Sequence, residues 1–261
     1  MRSMLIGATG MQAQELNVEV ISNNIANIST TGFKRQRAEF QDMIYDNIRR
    51  PGSTSTDAGN IVPTGIQVGM GVRPAAVYRI NTQGNVTITD NPLDLSVSGR
   101  GYFQVLLPDG STAYTRAGSM QLNAEGVIVN ADGYPIQPAI TIPNTAIDVT
   151  INSSGEVMIK QDGTTALSNV GQFQLANFVN PAGLEAVGNN LLKETPASGT
   201  ATTAVPASAG FGEMRQGTIE NSNVNVVSEI TSLITAQRAY EMNSRVIKAS
   251  DEMMSTVSQL R

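Results

Sequence analysis

Apolar residues recur every seven positions at both ends of this 261-residue chain, and that period constrains its fold more than any other feature. Near the N-terminus the repeat is Met4, Met11, Val18 and Ile25, with Ile21 and Ile28 three residues after Val18 and Ile25. Near the C-terminus it is Val226, Leu233, Tyr240, Ile247 and Met254, joined by Ile230 and Val257. A seven-residue repeat lays an apolar seam along a helix. Residues 3–28 and 223–260 therefore read as helices, ~39 and ~57 Å long at about 1.5 Å per residue. Other seam positions are small or polar (Gly7, Gln14, Gln237, Ser244), so neither seam is a strong zipper. An intramolecular helical hairpin is the simplest arrangement.

Two details point past a hairpin. Residues 1–28 carry only Arg2, Glu15 and Glu19 as charges, whereas a solvated helix face usually carries more. Ser22, Asn23, Asn24 and Asn27 are mediocre helix formers late in the first helix, where their amides are placed to bond neighbouring backbone or side chains. Gly32 suits the left-handed stop that follows.

Between the helices the chain alternates short runs rich in Val, Ile, Thr and Phe with turn sequences. Tyr102–Leu107 leads into Pro108-Asp109-Gly110-Ser111 and returns through Ala113–Arg116. Further turns fall at Asn123–Gly126, Ala131–Gly133, Asn152–Gly155 and Asp162-Gly163. Turns at about ten-residue spacing predict an antiparallel sandwich or barrel. The expected fold class is α+β: paired, coiled-coil-like terminal helices flanking an inserted antiparallel β domain. Residues 51–60 and 198–208 have the composition of linkers or exposed loops.

Composition excludes much chemistry. With no His, Cys or Trp there is no Ser-His-Asp triad, Cys nucleophile, zinc finger or histidine-ligated metal. The Asp-Gly pairs lack calcium-loop spacing and read as turns. The scattered carboxylates cannot be paired into a glycosidase site from sequence. No catalytic, cofactor-binding or metal-binding residue is expected. A net charge of −5 argues against broad nucleic-acid binding. Ser, Thr, Asn and Gln number 82 against 39 charged residues, which hints at a surface that meets protein rather than water. Lys34-Arg35-Gln36-Arg37 reads as a cation cluster at a helix C-terminus with room for a partner carboxylate, and Gly65–Gly71 as an extended or hairpin segment. No stretch reaches the roughly 20 apolar residues of a membrane span, and Met1–Gly7 is too short for a secretory h-region.

Four motifs give a sharper reading. Ser22–Lys34, with Asn23, Asn24, Asn27, Thr31, Gly32, Phe33 and Lys34, resembles the N-terminal motif of bacterial flagellar rod and hook proteins. Ser222–Val226 and Gln237-Arg238-Ala239-Tyr240-Glu241 resemble that family's C-terminal signature, while Asp94–Phe103 and Tyr114–Met120 resemble its β domain. Residues 46–72, including Arg49, Pro51, Gly52, Pro63, Gly65, Gly69 and Gly71, are similar to the long segment typical of distal rod members.

The resemblance implies a structural subunit that forms a helical homopolymer, the distal rod, and transmits torque to the hook. The heptad seams would drive assembly. It implies residues 1–34 with 222–261 as the helical filament core, 35–85 with 196–221 as an extended β linker, and 86–195 as the outer β domain. The implied partners are proximal rod proteins, hook protein, the surrounding periplasmic and outer-membrane rings, the rod cap and the export apparatus. Nucleic acid and cofactors are absent from that set. The implied location is the flagellar basal body, reached without a cleaved signal peptide. The nearest rival readings are a proximal rod or hook subunit of the same family and, more remotely, a β-rich adhesin or binding module.

Overall fold

The computed structural model describes residues 2–52, 64–161 and 166–259. Pro63, most of the 51–60 stretch and the Asp162-Gly163 turn lie outside them. The two long helices are α1, Arg2–Ala26, and α2, Val226–Gln259, within two or three residues of the sequence expectation. Asn225 starts α2 as its cap: its side-chain oxygen accepts the Ser228 N–H at 3.2 Å.

The chain forms two compact units. The first joins residues 1–25, 36–78 and 225–261. Within it, α1 and α2 run antiparallel: Ser3 meets Ser250, Gly7 meets Ile247, Gly10 meets Asn243 and Asn24 meets Glu229. Each step along one helix is matched by an almost equal step back along the other. Because Ser3 faces Ser250, residues 251–259 extend past the start of α1 by roughly 14 Å.

The rest of this unit is a two-stranded ribbon. Strand β1, Gln36–Asp42, and strand β2, Tyr45–Arg49, form its outgoing side; β3, Ile66–Gly69, and β4, Val72–Arg79, return. β1 pairs with β4, and β2 pairs antiparallel with β3 with Asp46 opposite Val68. Met43 N–H to Gly71 C=O (2.8 Å) and Met70 N–H to Ile44 C=O (3.2 Å) carry the ladder across the break. The ribbon is tied to α1 at three levels: Asn24 at Gln36, Thr9 at Gly71 and Val72, and Arg2 at Asp46. These levels agree with the geometry of both elements. Asn24 to Thr9 rises ~22 Å along a helix, and Gln36 to Met43, opposite Gly71, spans ~23 Å along a strand. Gly71 permits the close approach. Its φ is +120°, and a Cβ there would lie 2.2 Å from Thr9 Oγ1. Of the two alternatives for Gly65–Gly71, extended or hairpin, the segment is extended, as β3; what the sequence did not reveal is that β2 and β3 extend a ribbon laid along α1.

The second unit, residues 26–35 and 79–224, is antiparallel β. Its largest sheet centres on Tyr102–Leu106, which pairs with Thr112–Thr115 as the expected hairpin, Phe103 opposite Thr115. A three-stranded sheet, Ala146–Ile151, Glu156–Gln161 and Leu167–Gln172, stands beside it in the chain order. Alternation builds the core. Phe103 and Val105 point inward from one strand and Val157 and Ile159 from another, meeting Met120, Ile128, Ile136, Phe173 and Leu175. The turns share one device. The side-chain oxygens of Asn123, Asn130 and Asn152 each accept backbone N–H groups further along the turn, and each turn ends in Gly at positive φ.

One reading changes. Residues 198–208 are not simply loop. Thr202–Ala204 adds a strand to Leu175–Asn177, and Ser198 is buried with its hydroxyl bonded to Thr195. Backbone pairing needs no apolar side chains, so composition does not reveal it.

Candidate functional site: helix faces and a buried charge cluster

The α1–α2 contact runs along small and polar residues. On α2, Glu229, Ala236 and Ser250 are buried and Asn243 is half-buried, all seven apart. The apolar seam Val226, Leu233, Tyr240, Ile247, Met254 keeps the same period three residues earlier, which places it about 60° around the helix. Leu233 and Ile247 are half-buried on its margin, while Val226, Ile230, Tyr240 and Met254 are exposed. Val257 and Met253, beyond Ser250, are exposed too. On α1, Ile21 is buried, and Met4, Met11, Val18 and Ile25 are half-buried, as is Ile28 just past the helix. Glycine sets the spacing: a Cβ on Gly7 would sit 2.9 Å from Ile247, and one on Gly10 2.7 Å from Asn243.

Asn24 is the polar key of this unit. Its amide nitrogen donates to Gln36 C=O (2.8 Å) and to Glu229 Oε2 (3.1 Å), and its oxygen accepts the Gln36 N–H (2.8 Å). One side chain thus joins α1, α2 and the start of the ribbon, as the late-helix asparagines suggested. Asn23 is exposed; Asn27 accepts from the Thr30 hydroxyl at 3.1 Å in the turn that ends α1. Gln237 and Arg238 lie exposed on α2.

On the ribbon, Arg49, Pro51 and Gly52 are exposed near its far end. Gly65 lies where a Cβ would meet Arg49 C=O at 2.4 Å, and Gly69 faces the Tyr45 ring. Ile44, Tyr45, Ile48 and Ile66 are exposed on a sheet that has two strands among the described residues. Such a ribbon is marginal alone and open to further protein contact.

The second unit holds a cluster whose members sequence reasoning did not bring together. Lys34 Nζ lies 2.5 Å from Glu220 Oε1, and Arg116 Nε lies 2.6 Å from Glu220 Oε2, with all three residues buried. Lys34 had been read as part of a cation cluster at a helix end. Instead it turns inward to a carboxylate 186 positions away, since burying a cation requires a partner. Glu220 also accepts the Gly84 N–H (2.9 Å), and its backbone C=O takes the Gly32 N–H (2.8 Å). The Arg116 guanidinium donates to the carbonyls of Val97 (2.8 Å), Gly99 (2.6 Å) and Gly101. Burial pushes the Glu220 carboxyl upward, but the Arg116 charge and the hydrogen bonds from Lys34, Gly84 and Arg116 outweigh it and leave it below the ordinary value. Burial lowers Lys34, with Glu220 opposing. Around the cluster, the Thr31 C=O accepts from the Asn190 amide at 3.3 Å, the Phe33 N–H bonds back to Thr30 C=O at 3.2 Å, and Gly32 has φ +71° against the Arg116–Ala117 backbone. The cluster ties residues 26–35 and the chain around Glu220 to the β body of this unit. Lys34 and Arg116 stand in motifs quoted above; Glu220 had no local signal.

Comparison with known proteins accounts for this arrangement. The flagella basal body rod protein family matches residues 4–34, the flagellar hook protein FlgE/F/G D1 domain residues 96–159, and the flagellar basal body rod FlgEFG protein C-terminal family residues 215–260. Two terminal helices around a β body, with those three patterns in order, define an axial subunit of the flagellar hook-and-rod class. The flagellar basal-body rod protein FlgG of Caulobacter vibrioides is 60% identical over 261 residues, covering 100% of both chains. The FlgG proteins of Agrobacterium fabrum and Bacillus subtilis are 49% and 36% identical, each covering at least 99% of both chains. The chain belongs to the flagellar basal-body rod protein FlgG family and is a structural component of the rod.

Proposed function

We propose that the chain polymerises into the distal rod, a helical tube that carries torque to the hook. The observation that carries this reading is the α2 seam. The helix pair closes on a line of Glu, Ala, Asn and Ser and leaves Val226, Ile230, Tyr240, Met254 and Val257 open to solvent. A monomer gains nothing from that exposure, whereas a filament covers it with neighbouring helices. In the filament, residues 1–34 with 222–261 form the inner layer, 35–85 with 196–221 bridge layers, and 86–195 face outward. The ribbon around Arg49–Gly71 locks neighbours, so the tube stays straight and stiff. The subunit leaves the cell through the flagellar export apparatus without a cleaved signal, joins proximal rod proteins and hook, and passes through the surrounding rings. The work is mechanical, shared over many identical contacts, with no catalytic step.

Two measurements test this. Leu233→Asp should leave the β unit folded by circular dichroism and abolish polymer in sedimentation; normal filaments from that variant would refute the seam. Deleting residues 46–66 should give polymers that electron micrographs show to be curved or shorter in persistence. Unchanged straightness would remove the ribbon's assigned part.

A further inference from the structure

Beside the buried charge cluster lies a cavity of about 310 Å³, bounded by Lys34, Arg100, Arg116, Tyr102, Phe178 and Val179 among others. We propose that it is a carboxylate-accepting socket, filled on assembly by an Asp or Glu side chain of a second copy of this chain. The identity of the occupant rests on the rod reading; the carboxylate chemistry does not.

Charge carries the first part. Three cations line the cavity and no Asp or Glu does. Glu220 offsets one of them through the cluster, so the cavity keeps an excess of positive charge within a chain of net −5.

Donor accounting carries the second. An ammonium has three N–H groups, and Lys34 uses two, on Glu220 and on Thr82 C=O (2.7 Å). A guanidinium has five, and the bonds of Arg116 among the described residues use four. One donor on each is left over, and both residues line the cavity. Arg100, exposed at the mouth, adds a full guanidinium suited to a carboxylate.

The walls are preorganised. Phe178 packs edge-on to Tyr114, with centroids 4.7 Å apart, and to Tyr102 at 6.0 Å, so the apolar side is held in place. Val179, next along the chain, is 93% exposed at the rim. An acidic side chain arriving on a second copy would satisfy the spare donors and cover Val179 together. The acidic excess of the chain, 22 Asp and Glu against 17 Lys and Arg, supplies that complement on every copy.

The test uses the full chain and leaves the buried cluster intact by varying Arg100. Sodium glutarate, titrated into labelled monomer against sodium chloride of equal ionic strength, should shift the NMR resonances of residues 99–102 and 177–181 in glutarate alone. Arg100→Glu should lose the response and Arg100→Lys retain it. In polymerisation assays Arg100→Glu should raise the critical concentration by about tenfold, and Arg100→Lys by much less. Absence of a glutarate-specific response in the wild-type monomer would overturn the socket. A response accompanied by wild-type polymerisation of Arg100→Glu would overturn the second copy as occupant, leaving a free anion. Failure of the wild-type chain to polymerise at all would strike the rod reading, while the monomer titration still decides the socket.

Discussion

Glu220 shows how one side chain can be indispensable without reacting with anything. Two buried cations, a backbone amide and a chain crossing converge on it. Glu220→Gln keeps the shape but leaves Lys34 and Arg116 facing no charge. The β unit should then lose about 3–5 kcal/mol in denaturant unfolding at neutral pH. The pH dependence follows from the direction of its shift. The folded carboxyl sits below its ordinary value of 4.5, so its contribution is complete above that pH and fades as pH falls through the lower folded value. Wild-type stability should therefore decline in that acid range more steeply than that of Glu220→Gln; parallel acid curves would argue against the cluster. None of this was legible beforehand. Lys34 and Arg116 were visible as motif residues, but only the path of the chain decides which carboxylate they meet.

At the scale of elements, periodicity revealed both helices almost to their ends, and alternation with turn residues revealed the 102–116 hairpin. It did not reveal which line of α2 meets α1. Hydrophobic period identifies where apolar residues are, and here the pairing line is the row of Glu229, Ala236, Asn243 and Ser250 beside them. Gly7, noted only as a gap in the seam, is the point where the helices come close. Gly7→Leu should push Ile247 away and separate the pair near its open end. The expected outcome is faster amide exchange along residues 243–259, with the 79–224 unit unchanged; equal exchange would mean that the helices do not rely on that approach. The Thr202–Ala204 strand was hidden for the opposite reason, since it joins its sheet by backbone alone.

Across the molecule, the two units are built on different physics. The β unit encloses Phe103, Phe173, Met120 and their neighbours in a dry core. The helical unit closes largely on hydroxyls, amides and glycines, while Val226, Ile230, Tyr240, Met254 and Val257 already face water. Heat capacity registers that contrast, because it rises chiefly with newly wetted apolar area. Melting the free helical unit should give a calorimetric step that is small for its length, and the β unit a normal one. In the polymer the same helices should melt with a markedly larger step; an equal step in both states would mean that their apolar seams remain wet. On the export route proposed above, a helix pair that wets so little new apolar surface on opening should unzip with little penalty.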